Sequence, residues 1–424
     1  MPGDLLIQRA RVVLPERVLP EADILVRDGA IAAVSEEPIC PRCAPAAVDA
    51  AGLLALPGLI DVHCDAIEKE AQPRPGVRLP FELALRELDR KLALCGITTM
   101  YHGVSFGAGE GVRDNAVAAA LVRAIAAFAR GQTLVRHRAH LRFELSNWEA
   151  IELVGDLLDE GAVGLLSVMD HTPGQGQYRD PLRFREYVRK TYWVGEEEVD
   201  RIVREKHAGR ARVTEAHVRA LAERARRADV PLAGHDPDSR TSVDLALERG
   251  VDLLEFPITL EVAEHASARG LRVCVGAPNV LHGRSHDGNL SARAAIGAGA
   301  ADVLCSDYYP SALLPAIFKL VDEGVKALAD AVALATANAA AALGLAAGAI
   351  RPGALGDLLL VSLDGGHPSA AVTIVGGRIA LATGGRRAVD RSAIEAVSCH
   401  TGSQALAETD RRRRMTGGAA SVEP

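Results

Sequence analysis

The sequence lacks several features, and each absence removes a class of protein. No uninterrupted apolar run reaches the roughly 20 residues that a membrane-crossing helix needs. There is no excess of positive charge: 48 Lys and Arg stand against 55 Asp and Glu, a formal net charge of -7. No overall basic field therefore favours nucleic acid or an anionic membrane. The run Arg411–Arg414 lies in a polar tail and reads as a solvated chain end. The seven cysteines are odd in number and scattered, which argues for a reducing cytoplasm rather than a disulfide framework. Cys40 and Cys43 form a CxxC, but no second pair stands at zinc-finger spacing, and the pair reads as a loop accident. The opening MPGDLLIQRARVVLP alternates like a strand and lacks the apolar core and cleavage site of a secretory leader.

What is present is a large, ordinary globular composition. A chain of 424 residues suits one barrel of about 250–300 residues with a smaller companion. The first 55 or so residues read as short strands, with Asp28-Gly29 as a hairpin turn. Similar segments return at GDLLLV (Gly356–Val361) and VTIVGGRI (Val372–Ile379), the latter turning at Gly376-Gly377. These two ends predict one small β-sandwich from residues 1–56 and 349–395, leaving a barrel over 57–348 and a flexible tail over 396–424. Two independent hairpins are the alternative. Between the ends, apolar runs alternate with Ala/Leu/Arg-rich helical stretches such as Asn115–Arg130 and Glu215–Ala228. Eight candidate strands can be counted: LPGLIDVH, GITTMYH, RAHLRFE, GLLSVMD, VPLAGH, DLLEF, RVCVGAP and ADVLCSD. The expected fold is α/β, a (β/α)8 barrel.

In such barrels the chemistry sits at the C-terminal ends of the strands. His63 and Asp65 follow the first strand, Glu144 ends the third, and Asp170 and His171 follow the fourth. His235 and Asp236 close the fifth, Glu255 ends the sixth, and Ser306 and Asp307 follow the eighth. A His-x-Asp at a strand end sends both side chains to one side, and imidazole with carboxylate suits a divalent ion such as Zn²⁺ or Mn²⁺. Alone the pair is weak evidence; the company of Glu144, His171, His235 and Asp307 makes it a candidate metal site. Glu144 is placed to bridge two ions, with His171 and His235 completing the second. Asp307 would bind one ion and accept a proton from a water acidified by the metal. Glu144 could instead pair with Arg142 or Arg138, and Asp307 could cap the next helix. Asp170 and Glu255 could each be a ligand, but read rather as orienting groups or ion-pair partners.

Seven segments run in order through this frame: HCDAIEKEAQPRPGV, HLRFEL, SVMDHTPGQGQY, GHDPD, EFPIT, GAPNVLHGRSHDGN and SDYYP. With the ligand set and the stretch TANAAAALGLAAGAIRPGALGDLLLV (Thr336–Val361), the chain resembles the amidohydrolase superfamily. Within it, the chain is similar to the diphosphatase family of the carbon–phosphorus lyase pathway of phosphonate use. That resemblance implies a metal-dependent hydrolase converting α-D-ribose 1-methylphosphonate 5-triphosphate to the 5-phosphate and pyrophosphate, with two divalent ions. Arg74, His282, Arg284, His286 and Asn289 are then candidates to hold the polyphosphate, with Gly174–Gly176 and Gly283–Asn289 offering backbone N–H groups. Two loops differ from that family's pattern: Pro237 follows Asp236, and Asp287 adds a negative charge to the seventh loop. Another amidohydrolase acting on a cyclic amide, amine or ester, or a non-catalytic scaffold subunit, remain as alternatives. The expected partner is a small phosphorylated molecule, with no nucleic acid and no membrane; self-association and a lid role for Tyr192–Arg212 stay open.

Overall fold

The computed structural model describes residues 3–107, 109–192, 194–285 and 289–383. The N-terminal side supplies β1 (Leu5–Val13), β2 (Val18–Arg27), β3 (Ala30–Ser35), β4 (Ala47–Asp49) and β5 (Leu54–Pro57). The central strands are β6 (Leu59–Cys64), β7 (Ile97–Phe106), β8 (Arg136–Glu144), β9 (Leu165–Met169), β10 (Leu232–His235), β11 (Leu253–Glu255), β12 (Arg272–Gly276) and β13 (Val303–Cys305). The chain then returns through β14 (Leu358–Ser362), β15 (Ser369–Val375) and β16 (Arg378–Ala382).

Both chain ends share one sheet, ordered β16-β15-β14-β5-β1-β2-β3 with β4 beside β1. The join is the antiparallel pairing of β5 with β14. Its hairpins turn where the sequence offers residues that tolerate left-handed backbone, with φ of 49° and 78° at Asp28-Gly29 and 56° and 72° at Gly376-Gly377. Ile7, Ile24, Ile31, Leu358, Leu360 and Ile374 form a core belonging to this sheet. Leu54, Leu56, Leu359 and Val361 face the other way and join the barrel's core. The flexible tail expected over 396–424 lies outside the described residues.

The central strands form the eight-stranded parallel barrel, in chain order from β6 to β13. All six residues of β6 and all ten of β7 are buried, as expected for parallel strands covered by helices. The barrel is near-closed by an isolated parallel bridge between Cys64 and Asp307. There the Asp65 N–H donates to the Asp307 carbonyl at 2.7 Å and the Asp307 N–H donates to the His63 carbonyl at 3.0 Å. The closing seam therefore runs through residues the sequence marked for chemistry. Between β9 and β10 the chain inserts two helices, Pro181–Tyr192 and Glu196–Arg210, which pack around a small core of Phe184, Val188 and Val199.

One buried carboxylate outside the barrel mouth ties a helix to the strands. The helix Phe81–Leu94 buries Leu85, Leu88 and Leu92. On the same side Asp89 accepts the N–H groups of Leu134 at 2.9 Å and Val135 at 3.0 Å, and meets His137 Nε2 at 3.0 Å. Burial works against its charge, but the bonds from His137, Leu134 and Val135 outweigh it and hold the carboxyl below its ordinary 3.8. A carboxyl depressed in this way stabilises the fold above its unfolded pKa, and the contribution fades as pH falls through the folded value. Asp89→Ala should lower the unfolding free energy by about 2–3 kcal/mol near neutral pH, from the stranded donors. In denaturant titrations across pH, the gap to wild type should narrow below about pH 4; a gap that stays constant into acid would contradict this reading.

Candidate metal centre

The mouth of the barrel is organised from β11 outward. Glu255, its last residue, is fully buried, and both of its oxygens are engaged. Oε1 lies 2.8 Å from His63 Nδ1, and Oε2 lies 3.0 Å from His235 Nδ1 and 3.0 Å from Ser167 Oγ. Burial opposes the ionised form, but His63, His140 and the bonds from His235 and His63 keep the carboxyl well below its ordinary value. An ionised carboxylate only accepts, so each Nδ1 carries the proton and each Nε2 is left as an acceptor. The two imidazoles are stacked, with centroids 5.5 Å apart and planes 15° from parallel. Phe256 meets both edge to face, at 5.0 Å and 5.3 Å.

The strand β8 supplies three more groups. Its alternation sends Leu141 and Phe143 to the helix-side core and puts His140, Arg142 and Glu144 on the other face. Arg142 Nη1 donates to both carboxylate oxygens of Asp65, at 2.7 and 2.8 Å, and Nη2 donates to His235 Nε2 at 3.1 Å. Burial resists ionisation of Asp65, yet Arg142 and His63 bring its pKa to about 2. Gly103 of β7 makes room for that carboxylate, because a Cβ there would stand 2.4 Å from Asp65 Oδ1.

Glu144 accepts the His171 backbone N–H at 3.0 Å and pairs with His171 Nδ1 at 2.9 Å. Among the described residues it forms no ion pair with Arg142 or Arg138. Burial again works against the charge, but Lys206 and then His171 bring the Glu144 carboxyl to about 2. Burial would lower His171, whereas Glu144 and Asp236 raise it to about 9. His171 Nε2 lies 3.3 Å from Asp236 Oδ2.

These side chains fall into two groups whose donor atoms lie within 4.8 Å of one another: His63, His140 and Glu255, and His171, His235 and Asp236. The donors fit a divalent ion, which takes imidazole nitrogen and carboxylate oxygen. His140 strengthens the fit. Both of its ring nitrogens are buried without a hydrogen-bond partner among the described residues, with Glu255 Oε1 3.7 Å from Nε2, a costly state that a ligand would relieve. Burial first of all lowers its pKa to about 3, so the ring is neutral and able to donate a lone pair. Glu255 unites the two groups, because it touches a histidine of each.

Three of the six residues named as ligands from the sequence, His63, His171 and His235, lie within these groups. Asp65, Glu144 and Asp307 surround them. Asp307 is half-buried on the closing seam with φ 62°. The residue before it, Ser306, donates its N–H to Asp61 Oδ1 at 3.0 Å and its hydroxyl to Asp61 Oδ2 at 2.5 Å. Asp170 is an ion-pair partner, held by Arg210 Nε at 2.7 Å. Arg74, His282 and Arg284 are exposed and Asn289 is half-buried, while His286 and Asp287 lie outside the described residues.

Sequence reasoning left His140 and Asp236 out of the ligand set, and gave Arg142 no place beside Asp65 and His235. The signal for His140 and Arg142 was the period-two spacing of polar residues in HLRFE, read from its end inward. Asp236, with φ 50°, Phe256, with φ 55°, and Asp307 are non-glycine residues in left-handed backbone directly at barrel strand ends. Each such residue costs about 1–3 kcal/mol, and such strain gathers at functional sites.

Residues 54–383 match the description Amidohydrolase family. Among curated proteins, the chain is 34% identical over 371 residues to the alpha-D-ribose 1-methylphosphonate 5-triphosphate diphosphatase of Escherichia coli K12, covering 86% of this chain and 96% of that one. Among solved structures, molinate hydrolase superposes with a TM-score of 0.60 at 16% identity, over 89% of this chain and 95% of that chain. A triazine hydrolase variant superposes at 0.61 and 16%, over 94% and 99%. Dihydropyrimidinase from Brevibacillus agri NCHU1002 gives 0.59 and 14%, over 89% and 94%. At these identities the solved structures speak for the fold.

Glu255→Gln keeps the size of the side chain but removes the charge that fixes both Nδ1 protons. It should weaken binding of zinc by about 10–100-fold, measured by competition with a chromophoric chelator. Wild-type affinity in the variant would show that the clamp does not prepare the site.

Proposed function

The chain belongs to the amidohydrolase family, and from that premise we propose that it hydrolyses α-D-ribose 1-methylphosphonate 5-triphosphate to the 5-phosphate and pyrophosphate. The observation that carries the substrate is the 34% identity spanning 96% of the Escherichia coli diphosphatase. The solved amidohydrolases, at 14–16% identity, do not favour an amide or another ring as substrate. We assign two divalent ions, zinc or manganese, to His63, His140, His171, His235 and Asp236 of these groups, with Asp65, Glu144 and Asp307 beside them and Glu255 behind His63 and His235. When bound, such ions polarise phosphoryl oxygens and acidify water.

The chain's own residues prepare the rest. Glu255 holds the Nδ1 protons of His63 and His235, so that both Nε2 atoms stay unprotonated. Arg142 offsets the negative charge of Asp65. The reaction breaks the P–O–P bridge between the first and second phosphoryl groups. Water oxygen adds to phosphorus as its proton passes to the Asp307 carboxylate, and pyrophosphate departs and takes up a proton. The left-handed turn at Asp307, braced by the Ser306–Asp61 bonds, fixes where that carboxylate starts.

The metal-loaded chain should release pyrophosphate from the ribose triphosphate and leave cyclic amides intact. Asp307→Asn should lower turnover by about 100- to 10,000-fold, with metal content by elemental analysis close to wild type. Near-wild-type turnover in that variant would remove Asp307 from proton transfer, and activity on a cyclic amide alone would overturn the substrate.

A further inference from the structure

We propose that Lys206 and Arg113 form a two-point clamp for the phosphoryl groups that leave as pyrophosphate, an inference that rests on the diphosphatase reading. Charge is the starting point. The mouth gathers the carboxylates of Asp65, Glu144, Asp236, Glu255 and Asp307, and its central cation, Arg142, is committed to Asp65 and His235. Divalent ions offset those carboxylates, but a triphosphate brings negative charge of its own and needs cations with N–H groups still to give. Arg142 gives its Nη groups to Asp65 and His235.

Lys206 is different. It is half-buried and donates to Ser146 Oγ at 3.1 Å, and among the described residues no carboxylate lies within ion-pair distance of its ammonium. Its partner Ser146 stands two residues after Glu144, the last residue of β8, which puts the ammonium on that side of the mouth. Its place is fixed by its neighbours on one face of the helix Glu196–Arg210, at spacings of three and four residues. Gly209 lies so close to the loop after β8 that a Cβ would come within 2.0 Å of the Ser146 carbonyl oxygen. Arg210 ties the same face to Asp170 after β9. The inserted helix pair thus brings a lysine without a counter-ion to the Glu144 side of the mouth.

Arg113 serves the Asp65 side. It sits in the short turn Gly111–Arg113 after β7. Its Nε and Nη2 both bind one oxygen of Glu68, each at 2.9 Å, and Nη1 has no partner among the described residues. Glu68 is itself fixed by the Ser105 N–H at 2.9 Å, and the turn is pinned by the Val112 N–H donating to Gln72 Oε1 at 3.0 Å. The side chain remains 39% exposed, enough to be reached from solvent, and its partner Glu68 stands on the turn opened by Asp65, whose carbonyl accepts the Glu68 N–H at 3.1 Å. One cation therefore stands on the Asp65 side of the mouth and the other on the Glu144 side. In the proposed clamp a chain of phosphoryl groups crosses the mouth and meets both, and a single phosphate meets one.

The test uses the metal-loaded full chain and calorimetric titration with inorganic tripolyphosphate, pyrophosphate and orthophosphate. Lys206→Met should weaken tripolyphosphate and pyrophosphate by about tenfold, the loss expected for one charge-assisted contact, and leave orthophosphate nearly unchanged. Lys206→Arg should restore the affinity. Arg113→Met combined with Glu68→Gln, which avoids stranding a buried carboxylate, should give the same pattern. Unchanged tripolyphosphate binding in these variants, with metal content at wild-type level, overturns the clamp and leaves the diphosphatase reading standing. Equal loss for orthophosphate also overturns it. Failure of the wild-type protein to bind tripolyphosphate overturns both.

Discussion

The site depends on one buried carboxylate. Glu255 lies at the end of β11 with no exposure to solvent, between an imidazole from the first barrel strand and one from the fifth. A lone carboxylate buried so deeply would shed its charge. Here it keeps the charge because His63, His235 and Ser167 all donate to it. In return it decides which nitrogen of each histidine is free. That choice of tautomer turns two buried histidines into prospective ligands, and it links the two donor groups through one residue.

The backbone carries the cost of this arrangement. Asp236, Phe256 and Asp307 are held in left-handed conformations at the ends of β10, β11 and β13. The strain is imposed by what surrounds it: the Phe256 ring is wedged against His63 and His235, and Asp307 is locked to His63 and Asp65 across the seam of the barrel. Barrel closure and site geometry are therefore the same set of contacts. A change that loosens the seam shifts the carboxylate of Asp307 with it.

Much of this was legible in the sequence, for physical reasons. Parallel barrel strands are buried on both faces, so they stand out as short apolar runs between helical stretches, and all eight were visible. Asp28-Gly29 and Gly376-Gly377 announced their turns because few other pairs accept that backbone. His63, His171 and His235 were singled out because strand ends were the place to look, and each lies in one of the two donor groups. His140 and Arg142 were hidden because they lie further down β8, where a polar residue is read as part of the strand. What no spacing could reveal is pairing across the barrel: Glu255 with two distant histidines, or Lys206 of an inserted helix with Ser146 after β8. Such contacts depend on how the strands close, and the one-dimensional pattern does not hold that information.

The most direct test of the account is a crystal structure of the zinc-loaded protein with anomalous data at the metal edge. The account predicts metal density at the mouth of the barrel, on the Nε2 side of His63 and His235, with Glu255 still bound to both Nδ1 atoms. Metal density away from these histidines, or a Glu255 carboxylate withdrawn from both, would contradict it.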